Sequence, residues 1–190
     1  MRTGGSNFTQ IIMKKSHLVF IFLFFIFNTF SQTKKETEDW INQNINTFPV
    51  SYGDNPINVV ENIFLENGYL YFYHHWKRED NTYYSGTWSK VALKDIKSIE
   101  YTFDKSPGLN NKWIELRINF AKGKCSQGTL ENEFQGKDNV EYVVQPERTI
   151  IPQRLNMDFQ KSGMKQRIEK ALLHIIKQYG GNAIVKKEPF

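Results

Sequence analysis

An amphipathic segment near the end of the chain, Ser162 to Tyr179, constrains the fold more than any other feature. At about 100° per residue its apolar side chains fall on one stripe, and charged or amide side chains flank that stripe. Gly180 and Gly181 follow, and a glycine can end a helix by adopting positive φ. The pattern predicts a helix that needs an apolar surface to cover. Its stripe residues are Ile168, Ala171, Leu172, Ile175, Ile176 and Tyr179.

Most of the preceding chain has the alternation of antiparallel strands. The alternation is cleanest from Trp113 to Ala121, where apolar side chains share one face and polar side chains share the other. Asn67-Gly68 predicts a tight hairpin turn, because both residues tolerate positive φ. The loop 122–138 is long enough to contain a further short strand. Strands are predicted at 57–65, 69–76, 83–92, 99–103, 113–121, 140–144 and 149–159.

These elements together predict an α+β domain. It is expected to be a bent antiparallel sheet or barrel of about seven strands, closed by the C-terminal helix. An extra N-terminal helix from Thr33 to Phe48, which begins with a Thr33 and Glu36 capping box, is expected to pack outside. Residues 32–56 then form this helix and a linker, residues 57–181 form the domain, and residues 182–190 form a tail.

Residues 1–31 have the pattern of an upstream extension and a secretory signal peptide. An apolar run at 18–27 follows two lysines, and Thr29 and Ser31 place small residues at a cleavage site before Gln32. The run is about half as long as a membrane span requires. We therefore predict export to the periplasm or the medium, a mature start near Gln32 and no transmembrane anchor in the mature chain. Met1 and Met13 are alternative translation starts.

The charge balance gives no reason to expect a nucleic-acid partner. Three of the 25 basic residues and none of the 20 acidic residues lie in this leader, so the mature chain is only slightly basic. A nucleic-acid surface needs a clustered basic face, and the sequence has none. Cys125 is the only cysteine, so no internal disulfide is expected.

The order of about seven antiparallel strands and one closing C-terminal helix resembles the pleckstrin-homology-like superfamily, which includes GRAM-type domains. The most specific segment is VALKDIKSI at residues 91–99, where the resemblance implies that Leu93, Ile96 and Ile99 enter the core. It implies no catalytic residue. Lipid-binding members of the superfamily have a basic first hairpin loop, whereas residues 66–68 here read ENG. Phosphoinositide binding is therefore not expected.

The sequence contains no recognisable catalytic or metal-binding motif. His74 and His75 are neighbours on a strand and point to opposite faces, so they do not share a metal. No nucleophile elbow or phosphate-binding loop is present, and no cofactor is expected. The alternative function is a small secreted hydrolase whose acidic residues, such as Glu79, Asp80 or Asp104, meet only in the fold.

A row of tyrosines is the strongest functional signal. Tyr69, Tyr71 and Tyr73 share one face of a strand whose other face carries Leu70, Phe72 and Trp76. With the apolar face inside, the tyrosines are expected at or near the surface. Cross-strand pairing and burial under the N-terminal helix are structural alternatives. The leading hypothesis is an exported, non-catalytic module that binds an envelope protein, a peptide or a glycan through Tyr71, Tyr73 and Tyr84.

Overall fold

The computed structural model describes residues 33–50, 57–78, 84–103, 113–132 and 135–186. The elements below all belong to one compact unit, Lys34–Phe190. The predicted leader lies outside the described residues. The elements in chain order are α1 (Lys34–Ile45), β1 (Ile57–Glu66), β2 (Tyr69–Arg78), β3 (Tyr84–Ala92), β4 (Ile96–Phe103), β5 (Trp113–Phe120), β6 (Cys125–Thr129), β7 (Val143–Gln145), β8 (Ile150–Asn156), α2 (Asp158–Lys161), α3 (Met164–Gln178) and β9 (Ile184–Lys186).

The strands form two sheets, which confirms the α+β class. The first is antiparallel with the order β1-β2-β3-β6-β7, and the second has the order β8-β5-β4-β9, with β9 parallel to β4. The described strands do not form a closed barrel. The edge strands β1 and β8 meet through side chains instead of a backbone ladder: Gln153 Nε2 donates to the Glu61 carbonyl at 2.8 Å, and the Arg154 N–H donates to Glu61 Oε2 at 2.9 Å.

The β1–β2 hairpin has the predicted turn. Asn67 and Gly68 have φ values of 51° and 81°, as a type I′ turn requires. Glu38 of α1 accepts a hydrogen bond from the Gly68 N–H at 3.2 Å. A Cβ on residue 68 would lie 2.7 Å from the Tyr179 ring, at the end of α3. Glycine is therefore required here by both the backbone conformation and the close approach of an aromatic ring.

The main core lies between the sheets and the two long helices and is largely aliphatic. The α3 stripe enters it through Ile168, Leu172, Ile175 and Ile176, as the periodicity predicts. Leu93, Ile96 and Ile99 are also buried in this core. Helix α3 ends in a Schellman motif, because the Gly180 N–H donates to Lys177 O at 3.0 Å and the Gly181 N–H donates to Ile176 O at 2.9 Å.

Helix α1 is part of the main core, so the expectation that it packs outside the domain is wrong. Its Ile41 and Ile45 are fully buried. Asn42 and Asn46 each exchange two hydrogen bonds with the backbone of β1, at Leu65 and Ile63 respectively, over 2.7–3.0 Å. These amides satisfy backbone groups on the open side of an edge strand. The helix therefore covers that edge as well as the core.

Several boundaries in the C-terminal half differ from the predictions. The 122–138 loop contains the short strand β6, as its length allowed. The strand predicted at 140–144 is shorter and shifted, since the observed strand is Val143–Gln145. The strand expected at 149–159 ends at Asn156, whose Oδ1 accepts the Asp158 N–H at 3.0 Å and begins α2. Phe159 is therefore a buried residue of helix α2 and not of a strand. Strand β9 lies within the segment predicted as a tail.

Candidate functional site

A second cluster, here called the outer cluster, lies on the face of the five-stranded sheet opposite to the main core. On β2, Leu70 and Phe72 face the main core, whereas Tyr71 faces the outer cluster. The cluster is covered by a segment between β6 and β7, here called the arm and defined as residues 130–132 and 135–142. The members of the outer cluster are Tyr71, Trp88, Leu130, Phe64, Tyr73, Val140 and Tyr142.

The arm is attached to the sheet by a few specific contacts. The Leu130 N–H donates to Gly86 O at 2.9 Å, and Trp88 Nε1 donates to Gln135 O at 3.1 Å. A Cβ on Gly128 would lie 2.3 Å from Val140 Cγ1. Only glycine at position 128 therefore lets the arm approach β6 so closely.

The structure places the predicted site residues in different environments. The sequence predicts Tyr71 at or near the surface; it is 7% exposed and is covered by the arm, so it lies just below the surface. Tyr73 is partly buried and pairs across the strands with Trp88, with 4.8 Å between ring centres. Tyr84 begins β3, and its side chain lies outside the described part of the chain. Tyr71 and Tyr73 belong to the outer cluster, and none of its described members comes from helix α1.

A lysine–tyrosine surface, defined as Tyr69, Tyr71, Tyr142, Lys90 and Lys137, adjoins the outer cluster and shares Tyr71 and Tyr142 with it. Lys90 Nζ is 4.2 Å from the centre of the Tyr69 ring, 5.4 Å from that of Tyr71 and 5.7 Å from that of Tyr142. Tyr69 is 38% exposed. The ammonium group of Lys90 therefore stands among three electron-rich ring faces, an arrangement that attracts a cation.

The two lysines of this surface differ in how their charges are balanced. Lys137 Nζ is 2.7 Å from Glu66 Oε2 and 2.8 Å from Asp138 Oδ2. Within the described ranges, no carboxylate forms an ion pair with Lys90. Burial raises the pKa of Tyr142 to about 12, so its hydroxyl is neutral at physiological pH. Lys90 thus supplies a positive charge that its described neighbours do not neutralise.

An ion-pair cluster, in which Glu61 is buried and the other side chains are partly exposed, joins the two sheets and is the strongest candidate for acid chemistry. Arg154 Nη1 donates to Glu61 Oε1 at 2.6 Å, and Arg117 Nε donates to Glu115 Oε1 at 2.6 Å. His74 Nε2 lies 3.8 Å from Glu61 Oε1. Burial raises the pKa of Glu61 and lowers the pKa of His74, and Arg154 lowers the His74 pKa further. Glu61 would favour a protonated ring, but Arg154 already neutralises that carboxylate.

The geometry of this cluster favours a structural role over catalysis. Arg154 is shared between Glu61 and Glu115, whose Oε2 is 4.0 Å from Arg154 Nε. The adjoining cavity, lined in part by Pro49 and Val59, has a volume of about 60 Å³. Substrate sites are typically about 300–1,000 Å³. The acidic residues named for the hydrolase alternative, Glu79, Asp80 and Asp104, lie outside the described residues.

The remaining titratable side chains give no sign of metal or thiol chemistry. Among the described residues, no three His, Cys, Asp or Glu side chains lie close enough together to hold a metal ion. Cys125 is fully buried on the main-core face of β6, and burial raises the pKa of its thiol. A thiol in such surroundings reacts slowly because little thiolate is present.

Sequence reasoning missed Leu130 and Lys90 as partners of the tyrosine row. Lys90 carries a signal in hindsight, since it alternates with Ser89 and Val91 on the neighbouring strand. Leu130 carries none, because it lies in a segment without periodicity.

In the described ranges, every helix is too short or too polar to cross a membrane.

Comparisons of the chain with protein-family models, with curated proteins and with solved structures found no match.

Proposed function

We propose that this chain is an exported, non-catalytic binding module that recognises a protein, a peptide or a glycan of the cell envelope. The observation that carries the proposal is the lysine–tyrosine surface, where the exposed Tyr69 ring lies beside the ammonium group of Lys90. Export rests on the signal-peptide pattern before Gln32, and the mass of the N-terminal peptide of the exported protein checks it.

The chemistry of this surface suits recognition. A tyrosine ring offers a large flat contact area and a hydroxyl group at little cost in rotamer entropy. Tyr69 and Lys90 are on adjacent strands of a sheet, which is a rigid support for a binding site. Of the residues predicted from sequence, Tyr71 and Tyr73 support this surface from the outer cluster, and Tyr84 stays a proposed contact residue.

The pleckstrin-homology-like resemblance is kept as a proposal about the scaffold. It is supported by the burial of Leu93, Ile96 and Ile99 where the resemblance implied it. On such a scaffold the core and the closing helix maintain the fold, while surface side chains recognise the ligand.

The test is co-purification of envelope components with three forms of the mature chain. The double variant Tyr69→Ala/Lys90→Ala removes the exposed ring and the charge. A matched control, Ile150→Ala/Lys177→Ala, removes an equally exposed apolar side chain and a lysine elsewhere, since Ile150 is also 38% exposed. We expect the wild type and the control to retain the same partner and the double variant to lose it.

Thermal unfolding of the same three proteins completes the test. Because Tyr69 is exposed and Lys90 is only half-buried, the double variant should unfold within about 1 kcal/mol of the wild type. The proposal fails if the double variant retains the partner as well as the control does.

A further inference from the structure

A polar groove lies between the arm and the β6–β7 end of the five-stranded sheet. Its volume is about 610 Å³, within the range of small-molecule sites. The strand residues that line it, among them Gln127 and Gln145, share the face of Cys125, because Gln145 is the cross-strand partner of Cys125. Lys90 faces the other side of the sheet. The groove is therefore separate from the lysine–tyrosine surface.

The groove presents hydrogen-bonding groups that the protein holds in place but does not fully use. Gln127 Oε1 accepts a hydrogen bond from Arg148 Nη1 at 2.8 Å, which orients the amide and leaves its Nε2 as a donor. Asn139 uses its backbone carbonyl to accept Gln135 Nε2 at 2.6 Å, and its side chain stays available to a ligand. Glu131 and Glu141 form no ion pair with any described residue. Donors and acceptors are thus both present and partly preorganised.

The lining selects the chemical class of the ligand. It contains amide, hydroxyl and carboxylate side chains, and among the described lining residues Val143 alone is apolar. A lipid tail or an apolar peptide side chain would find little apolar surface to bury there. Among its described lining residues there is no lysine or arginine, which disfavours nucleic acid, acidic peptides and other anions. Amides both donate and accept, and carboxylates accept from adjacent hydroxyl groups, as an uncharged polyhydroxylated ligand requires.

We propose that this groove binds a neutral glycan. This inference rests on the proposed binding function and names one ligand class for it, at a site distinct from the lysine–tyrosine surface. The ligand lies along the β6–β7 face, with hydroxyl groups against Gln127, Asn139 and Glu141.

The experiment is a residue-resolved NMR titration of the mature chain with neutral oligosaccharides. The probes are the tetrasaccharides of maltose, cellulose, xylan and chitin type, each added to about 10 mM, which detects millimolar affinity. With at least one of these tetrasaccharides, we expect saturable shift changes at the side-chain amides of Gln127 and Gln145. The variant Asn139→Ala/Glu141→Ala should weaken that affinity about tenfold, because it removes hydrogen bonds to the ligand.

A matched control and a competing ligand decide the outcome. Asn182→Ala/Asp158→Ala removes an exposed amide and an exposed carboxylate elsewhere and should leave the affinity unchanged. The inference is overturned if no saccharide produces saturable shifts at the groove, or if the groove variant binds as tightly as the control. It is also overturned if an uncharged glycine–serine peptide shifts the groove more strongly than every saccharide. Shift changes confined to Tyr69 and Lys90 would overturn the proposal that the groove binds a glycan. They would not contradict the proposed binding function of the lysine–tyrosine surface.

Discussion

The two faces of strand β2 lead into two different kinds of apolar cluster. Leu70 and Phe72 enter a core of aliphatic side chains that is enclosed by both sheets and by α1 and α3. Tyr71 enters the outer cluster, which is aromatic and is closed by the arm. The main core has many packed partners for each side chain, whereas the arm is attached by few hydrogen bonds. We infer that the main core supplies most of the stability and that the outer cluster is a separate layer that opens more easily.

The largest expected effect is the difference in stability loss between a leucine-to-alanine substitution in the main core and one in the outer cluster. Leu116→Ala removes a fully buried side chain from the centre of β5, and such a cavity costs about 2–5 kcal/mol. Leu130→Ala in the arm should cost at least about 1 kcal/mol less, because the arm can move to fill the space. Urea unfolding of both variants measures the difference. Equal losses of stability would show that the arm is as firmly packed as the core.

A pair of glycine variants tests the attachment of the arm alone. In Gly128→Ala the new methyl group meets Val140 Cγ1 at 2.3 Å, and such overpacking costs about 1–3 kcal/mol. Gly136→Ala is the control, since its nearest neighbour is 3.9 Å away and its φ is −69°. We expect the Trp88 indole N–H to exchange faster only in the first variant. If Cys125 also becomes reactive there, the two clusters are coupled.

The smallest expected effect is a pH dependence of stability that arises from His74, on the core face of β2. The pKa of His74 is lowered in the folded protein, so below about pH 6.5 the unfolded chain binds more protons than the folded chain. Stability should therefore fall as the pH falls from about 6.5 through the lowered pKa of His74. His74→Gln should reduce this slope, whereas His174→Gln, at an exposed position of α3, should not. Urea unfolding at pH 5 and pH 7 is the measurement, and an unchanged slope in His74→Gln would contradict the argument.

The main core was largely readable from the sequence because each of its elements buries one face. The alternation in β5 and the stripe of α3 directly reflect that burial. The role of α1 was not readable, since Asn42 and Asn46 look like solvent-facing residues until β1 lies beside them. The seam between the sheets pairs Glu61 with Arg154, and a contact between residues so far apart in sequence leaves no local pattern.

The candidate site was predicted only in part, and the arm is the reason. Alternation on β2 correctly separated the tyrosine face from the core face. It did not show what covers Tyr71, because the arm has neither helical nor strand periodicity. The arm can lie close to β6 because Gly128 has no side chain. The sequence alone does not reveal this role, because glycines in loops serve many other purposes.

Native-state hydrogen exchange of the wild type, followed at increasing urea concentration, tests the separation of the two clusters most directly. The Leu130 amide, which donates to Gly86 O, reports on the arm, and the Leu116 amide reports on the main core. We predict that Leu130 exchanges through an opening of lower free energy and weaker urea dependence than Leu116, while Cys125 stays unreactive. Exchange of both amides through one opening, with the same free energy and the same urea dependence, would contradict the account.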